Sequence, residues 1–348
     1  MRSLRITKWH GGAEFSEIDT PTPGPGQVVI KIGGAGLCHS DLHMMHGDPS
    51  TPSPLPLPFT LGHENAGWVA EVGPGVTSVR GGDAVAVYGA WGCGRCARCI
   101  VGMDNYCEAN LPEAGGGLGA DGGMAEYMLV PDARYLLPLP EGLTPAQAAP
   151  LADAGVTPFH AVKRSLPKLD TTATAMIIGI GGLGHMAVQI LKATTAARVI
   201  AVDNRSEALD LALSLGADVA VEAGHGTVNE VRKATKGLGA DVVLDCVGTD
   251  QTLETAVGSV RTLGDVTLVG VAGGTLPFGY LHVPRGVSFQ TVYWGSRTEF
   301  TEVLGLASRG YLQPEITTYP LEQALEAYGA LDAGEVLGRA VVTPFGSA

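Results

Sequence analysis

Four cysteines stand close together, at Cys93, Cys96, Cys99 and Cys107, in the spacing Cys-x2-Cys-x2-Cys-x7-Cys. Four thiolates held this near one another can complete a tetrahedral shell around Zn²⁺, and Gly92, Gly94 and Gly102 give the chain the freedom to turn about the ion. A closed shell leaves no open coordination position, so an ion held there is structural and the chemistry lies elsewhere. Disulfides are the other chemistry open to these thiols, and a reducing compartment disfavours them.

A second set could do that chemistry. Cys38, then Gly62-His63-Glu64, then Asp153 offer one thiolate, one imidazole and one carboxylate from separated segments. Three protein ligands leave a fourth position for water or substrate, as a catalytic zinc requires. Singly, each residue has a plainer reading: a buried free thiol, a core histidine, a helix-capping aspartate. Cys246, the remaining thiol, ends an apolar strand-like run and reads as structural.

The third feature is Gly179-x-Gly181-Gly182-Leu183-Gly184, which follows an apolar run and precedes a helical pattern. In that context Gly179 permits a tight turn, Gly181 and Gly182 let backbone approach a pyrophosphate, and Gly184 lets helix pack close to strand. Unpaired N–H groups at the helix start suit the phosphates. A mere strand-to-helix turn is the plainer reading, but Asp203 ends the next strand-like run, where a carboxylate can accept both ribose hydroxyls of an adenosine. It would repel a 2′-phosphate, which favours NAD over NADP; Arg205, two residues on, partly offsets that repulsion.

These residues need elements to place them. At 348 residues the chain has room for two domains, and 50 glycines with only 6 % aromatic residues suit a turning α/β and β framework rather than a helical bundle. Formal charge is −13 and the basic residues do not cluster, which argues against nucleic acid or an anionic membrane as partner. No apolar run reaches the roughly 20 residues of a spanning helix, and nothing N-terminal resembles an export signal, so a cytoplasmic protein is expected. Asn204-Arg205-Ser206 fits a glycosylation sequon by coincidence on that reading.

Residues 1 to about 153 carry short β-type runs, Gln27–Ile32, Gly67–Val72, Asp83–Val87 and Ala125–Val130, between Gly, Pro and Asp turns. The Pro- and Ser-rich stretch from Gly47 to Pro58 reads as a loop. After Asp153 apolar strands alternate with amphipathic helices: Ala175–Ile180, a helix from Gly184, Arg198–Val202, a helix from Ser206, Asp241–Asp245, a helix from Thr252, and Asp265–Val271. That alternation predicts a doubly wound parallel sheet with right-handed crossovers. The last residues, with a helix near Leu321–Leu331 and the run Arg339–Thr343, return to the earlier character. The expected organisation is a discontinuous domain, 1–153 with 288–348, into which a dinucleotide-binding unit, 154–287, is inserted.

The ordered set Cys38-His39-Ser40-Asp41-Leu42-His43, Gly62-His63-Glu64, the cysteine quartet and the glycine fingerprint resembles the zinc-dependent medium-chain alcohol dehydrogenases over essentially the whole chain. Val292-Tyr293-Trp294-Gly295-Ser296 is similar to the segment of bacterial NAD-dependent secondary-alcohol dehydrogenases. The resemblance implies a GroES-like catalytic domain around a Rossmann unit, two zinc ions per chain and NAD. It implies Cys38, His63 and Asp153 as catalytic zinc ligands; many relatives have cysteine where Asp153 stands, and a carboxylate makes the ion the stronger Lewis acid. Glu64 would approach the zinc and assist exchange of water for substrate, and Asp41 would orient the ligand imidazole. Ser40 would take the hydroxyl proton and pass it through the nicotinamide ribose to His43, a residue type that exchanges protons near neutrality. His39 and Arg339 would touch the cofactor pyrophosphate, and Val247, Gly248, Val269, Gly270 and Val271 would line its nicotinamide end. Leu118, Trp294 and Tyr88 would form an apolar pocket for a small or medium secondary alcohol or its ketone. The remaining histidines, His10, His46, His160, His185, His225 and His282, have no chemical partner in this scheme.

Three other readings stay open on sequence. A polyol dehydrogenase would use the same zinc chemistry with a more hydrogen-bonding pocket; a zinc-free quinone or enoyl reductase would share the fold without needing the three ligands; a redox sensor would keep the nucleotide site and lose catalysis. The apolar runs Asp265–Val271 and Val287–Trp294 offer a strand edge that could pair with another copy, and the resemblance implies a dimer or tetramer, a homotetramer being favoured.

Overall fold

The structure, a computed structural model, describes residues 1–47, 55–109 and 115–346. Most of the stretch from Gly47 to Pro58, expected to be a loop, lies outside the described residues. Two compact units share the chain: Met1–Asp153, Ser296–Ser308 and Pro314–Ala348 form one, and Ala154–Gly295 with Arg309–Gln313 the other.

In the first unit the strand Val28–Gly36 is the organiser. It is a nearly continuous run of buried apolar and glycine residues, the pattern of a strand covered on both faces. Along one edge it pairs antiparallel with Glu64–Val72, in a register that sets Gly36 opposite Glu64. On its other edge the early residues pair with Tyr127–Val130 and the last two with Arg339–Val342. Ala84–Val87 and Leu136–Pro138 extend the sheet beyond Glu64–Val72, and Ile316–Tyr319 extends it beyond Arg339–Val342. The ends of three strands therefore meet around Gly36, from which the chain runs directly into the helix His39–His46. That helix packs on the helix Ala324–Asp332.

The second unit is a six-stranded parallel sheet in the order Val219–Glu222, Arg198–Asp203, Thr174–Ile178, Ala240–Asp245, Val260–Leu268, Ser288–Thr291. Its β-branched strands bury Met176, Ile178, Ile200, Val202, Val243 and Val266 in one core with Val231 and Ala256 from the intervening helices. The first strand lies in the middle and the chain winds outward on either side, so the order reverses between Thr174–Ile178 and Ala240–Asp245. Ligands of such sheets bind at that reversal, beyond the carboxyl ends of the strands.

The expected return to the first unit at residue 288 differs from what the structure shows. Ser288–Thr291 pairs with Val260–Leu268, completing the parallel sheet, and the chain leaves the second unit only at Ser296. The strand is short and mostly polar, Ser-Phe-Gln-Thr, and carries no parallel-strand signature; its register with Asp265 to Leu268 holds it in place. The short segment Arg309–Gln313 also belongs to the second unit, tied by Gln313 N–H donating to Gln189 Oε1 at 2.8 Å and by Gln189 Nε2 donating to Gln313 O at 3.1 Å.

Two glycines of the turn after Thr174–Ile178 do different work. A Cβ on Gly184 would lie 1.9 Å from the Gly179 carbonyl oxygen, a clash with backbone, whereas a Cβ on Gly181 would meet nothing within 4 Å. Gly184→Ala should therefore lower stability by about 1–3 kcal/mol, and Gly181→Ala should leave it unchanged. Thermal unfolding of the two variants beside the parent distinguishes them; equal melting points for all three would contradict this account.

Candidate active site and dinucleotide loop

The metal-ligating candidates of the first unit converge. Cys38 caps the helix His39–His46, His63 precedes the strand Glu64–Val72, and Asp153 follows a short 3₁₀ turn at Ala149–Ala152. His63 Nε2 lies 3.5 Å from Asp153 Oδ2, and Cys38 Sγ lies 3.9 Å from the same oxygen. Tetrahedral zinc bonds imply donor separations of about 3.4–3.6 Å for N, O and S ligands, so the three donors are already close to the spacing of a coordination shell. A thiolate and a carboxylate that close repel unless a cation stands between them. Burial works against protonation of His63, yet Asp41 and Asp153 outweigh it and raise the imidazole's proton affinity well above the ordinary value. By donor type, spacing and field these residues fit Zn²⁺, with three protein donors grouped among the described residues.

Behind the donors two buried carboxylates hold the geometry. Asp41 is completely buried; its Oδ1 lies 3.2 Å from His63 Nδ1, and its Oδ2 accepts from the Cys38 N–H at 3.0 Å and the Tyr328 hydroxyl at 2.8 Å. One acid thus fixes which ring nitrogen faces Cys38 and Asp153 and where the Cys38 backbone sits. Burial, and then the Asp41 charge, push the Tyr328 phenol well above its ordinary range, so it remains a donor.

Glu64 and Arg339 are the other buried pair. Arg339 Nε donates to Glu64 Oε2 at 2.9 Å and Nη2 donates to Oε1, while Nη2 lies 3.9 Å from Asp153 Oδ2. A Cβ on Gly36 would stand 2.0 Å from Glu64 Oε2, so the carboxylate occupies space that only glycine opposite it leaves free. Arg339, expected at the pyrophosphate, is 3 % exposed and committed to Glu64 in this structure. Glu64, expected to move toward the zinc, is equally engaged.

The other sequence candidates divide. Ser40 is half-buried with Oγ 3.6 Å from Cys38 Sγ, and His43 is exposed one helical turn further along. His39 is exposed. Leu118 is half-buried in the first unit. Tyr88, assigned to the pocket, is corrected: it has no exposed surface and packs between Tyr135 and Phe300, each ring centroid 6.5 Å away, because an apolar ring flanked by aromatic residues gains most by joining the core.

Cys93, Cys96, Cys99 and Cys107 also gather, with Cys93 Sγ 4.0 Å from Cys99 Sγ, near the roughly 3.8 Å of thiolates on one zinc. The Cys93 N–H donates to Cys107 Sγ and the Cys99 N–H to Cys96 Sγ. N–H groups of Cys99 and Glu108 bring Cys96 down to about 6, while burial pushes the Cys99 thiol up. Only a cation makes four thiolates compatible there, and the donor set fits Zn²⁺. Sequence reasoning missed what fastens this lobe: buried Asp104, inside the quartet's own spacing, accepts from Arg297 Nε at 2.7 Å and lies 3.2 Å from Arg134 Nη2, and the Arg297 backbone N–H donates to Gly102 O.

In the second unit Gly179 takes φ +84°, and Asp203 closes its strand with Oδ2 accepting from the Ile180 N–H at 2.6 Å, so the acid braces the glycine loop. Its Oδ1 accepts from the backbone and Nε of Arg205, which pairs with the acid instead of standing apart from it. Gly182 and Leu183 complete the turn into the helix Gly184–Thr194. Val247 and Gly248 donate their N–H groups to Asp245, and with Val269, Gly270 and the exposed Val271 they follow the next two strands at the same sheet edge. The empty space over Gly181 at that edge fits a pyrophosphate brought against backbone. Trp294 is buried at φ +48°, costly for a bulky residue, just before the Ser296–Glu299 helix start.

Comparison with known proteins agrees in both units. The alcohol dehydrogenase GroES-like domain matches residues 24–141, and the zinc-binding dehydrogenase domain matches 182–309. An NAD-dependent alcohol dehydrogenase of Sulfurisphaera tokodaii is 37 % identical, with 99 % of this chain and 100 % of the relative covered. Among solved structures, the alcohol dehydrogenase of Aeropyrum pernix superposes with a TM-score of 0.93 at 37 % identity over 99 % of this chain and 100 % of that one. Acetophenone reductase of Geotrichum candidum, solved with NAD, gives 0.89 at 32 % identity over 99 % and 97 %. With its ligand geometry, its glycine loop and full-length relatives all in register, the chain belongs to the zinc-dependent medium-chain alcohol dehydrogenase family.

Proposed function

We propose that the protein interconverts secondary alcohols, with some primary ones, and their ketones or aldehydes, using NAD. The observation that carries this reading is the convergence of Cys38, His63 and Asp153 at coordination spacing, a set of three donors among the described residues, on a chain that also braces an open dinucleotide loop. Cys38, His63 and Asp153 would hold a catalytic zinc and the cysteine quartet a structural one. Zinc, when bound, supplies Lewis-acid polarisation of the substrate oxygen, and NAD, when bound, supplies the hydride acceptor.

The chain's own groups do the rest. Ser40 Oγ, beside Cys38, takes the hydroxyl proton and relays it; His43, exposed on the same helix, hands it to solvent. Asp41 keeps His63 in the tautomer that ligates through Nε2. Glu64 with Arg339 places a charge pair behind Asp153, with Arg339 Nη2 3.9 Å from the ligand carboxylate. His39 contributes at the cofactor phosphates, and Arg339 does so only if it parts from Glu64. Asp203 favours the unphosphorylated ribose of NAD. Val247, Gly248, Val269 and Val271 line the nicotinamide end, and Leu118 and Trp294 the substrate.

Assembly as a homo-oligomer, a tetramer in preference to a dimer, is supported by the edge strand Ser288–Thr291 and by exposed Phe278, Tyr280 and Leu281 in the segment before it. Light scattering reads the mass, and a monomer would refute it. Reduced cysteines and the absence of a spanning helix among the described residues suit a cytoplasmic enzyme.

Purified protein should reduce NAD with 2-propanol and a 1-arylethanol, more weakly with ethanol and sorbitol, and about tenfold or more poorly with NADP, because the Asp203 charge repels a 2′-phosphate. A preference for sorbitol would turn the assignment toward polyols. Trp294→Ala should narrow the preference between enantiomers of the 1-arylethanol by about tenfold, measured as the ratio of kcat/KM values; an unchanged ratio removes Trp294 from the pocket. Cys38→Ser should lower bound zinc from two ions to one per chain and cut kcat/KM by at least about a thousandfold, with metal content read by elemental analysis. Full activity in a chain that retains only the quartet's ion would end the proposal.

A further inference from the structure

We propose that Tyr328 is a positioning residue for the catalytic metal site: its hydroxyl, bonded to Asp41, fixes the carboxylate that orients His63, and so governs how firmly the site keeps its zinc. The inference rests on the ligand reading above and adds a residue that lies far from every motif. Tyr328 projects from the helix Ala324–Asp332, is 2 % exposed, and donates to Asp41 Oδ2 at 2.8 Å. The same oxygen accepts the Cys38 N–H at 3.0 Å, and the other oxygen of the group lies 3.2 Å from His63 Nδ1.

The geometry shows why the phenol matters. A carboxylate can rotate about its Cα–Cβ and Cβ–Cγ bonds, and an acid held by one backbone N–H while facing an imidazole retains a hinge between them. The phenol's bond, arriving from a different helix, removes that freedom. Asp41 then presents one oxygen to the imidazole and the other to the two donors that fix its plane. Its two contacts in the ligand set lead to different ligands: through Nδ1 to His63, whose Nε2 faces Asp153, and through its N–H to Cys38, whose thiol lies beside the same oxygen. Loss of the hydroxyl leaves the carboxylate one donor short in a site with no access to solvent, and the imbalance falls on the orientation of two of three ligands. Outer-shell partners of this kind typically contribute 10–100-fold in metal affinity.

The test uses the zinc-loaded protein and follows metal release to a chromophoric chelator, with the quartet's zinc as internal reference. In the parent, two ions should leave in separate phases. In Tyr328→Phe one phase should quicken about tenfold while the other is unchanged, and cobalt placed in the catalytic site should show shifted visible bands. Leu331→Ala, which loosens the same helix at a buried position without touching Asp41, should lower the melting point and leave the release phases and cobalt bands as in the parent. Unchanged release from Tyr328→Phe, acceleration of both phases together, or the same acceleration in Leu331→Ala would each overturn the role of Tyr328. A parent that binds zinc at the quartet alone would overturn the ligand assignment itself, a result separable from the other three.

Discussion

Around the metal-ligating set the first unit buries Asp41 and Glu64 beside the Asp153 carboxylate and the Cys38 thiol, with the Arg339 guanidinium paired to Glu64 and near Asp153. Anionic groups withdrawn from water are strongly disfavoured unless compensated. Arg339 settles Glu64 and also lies 3.9 Å from Asp153, Asp41 accepts from two donors and faces the His63 ring, and the Cys38 thiol beside Asp153 suits a metal ion. The fold around it reads as a frame for a cation. The strand ends at Gly36, the helix entered at Cys38 and the turn into Asp153 are the scaffolding that keeps these groups from relaxing apart.

The two metal-binding clusters express different uses of the same ion. In the quartet every donor is a thiol, backbone N–H groups point at sulfur, and the surrounding Asp104, Arg134 and Arg297 bonds tie the lobe to the rest of its unit. A shell of four thiolates leaves no open place for a substrate or water. The Cys38 set has mixed donors and one place fewer filled, which is the condition for exchange.

What the sequence made legible was local. The quartet and the glycine turn can be read because their residues lie close along the chain, whereas Cys38, His63 and Asp153 come from distant segments and are joined only by the resemblance to a known family. Asp41, three residues from Cys38, is carried by the same resemblance. Contacts made by distant segments left no such trace. Tyr328 and Arg297 meet their acids across most of the chain's length, and neither has a neighbourhood that announces it. Arg339 was recognised as functional, but its partner depends on the register that brings Gly36 between two strands. Tyr88 was misjudged since burial inside an aromatic cluster cannot be told from a pocket wall by residue type. The return point at Ser296 was set eight residues early because Ser288–Thr291 is held by pairing more than by composition.

The strand Arg339–Val342 is made last and pairs with Gly36, made among the first. On the ribosome the second unit is complete and able to fold while the first still lacks this strand. Until then Glu64 has no guanidinium beside it, and the helix that carries Tyr328 has itself only just emerged. The ligands Cys38, His63 and Asp153 are thus synthesised well before Tyr328 and Arg339, the residues that hold the acids around them.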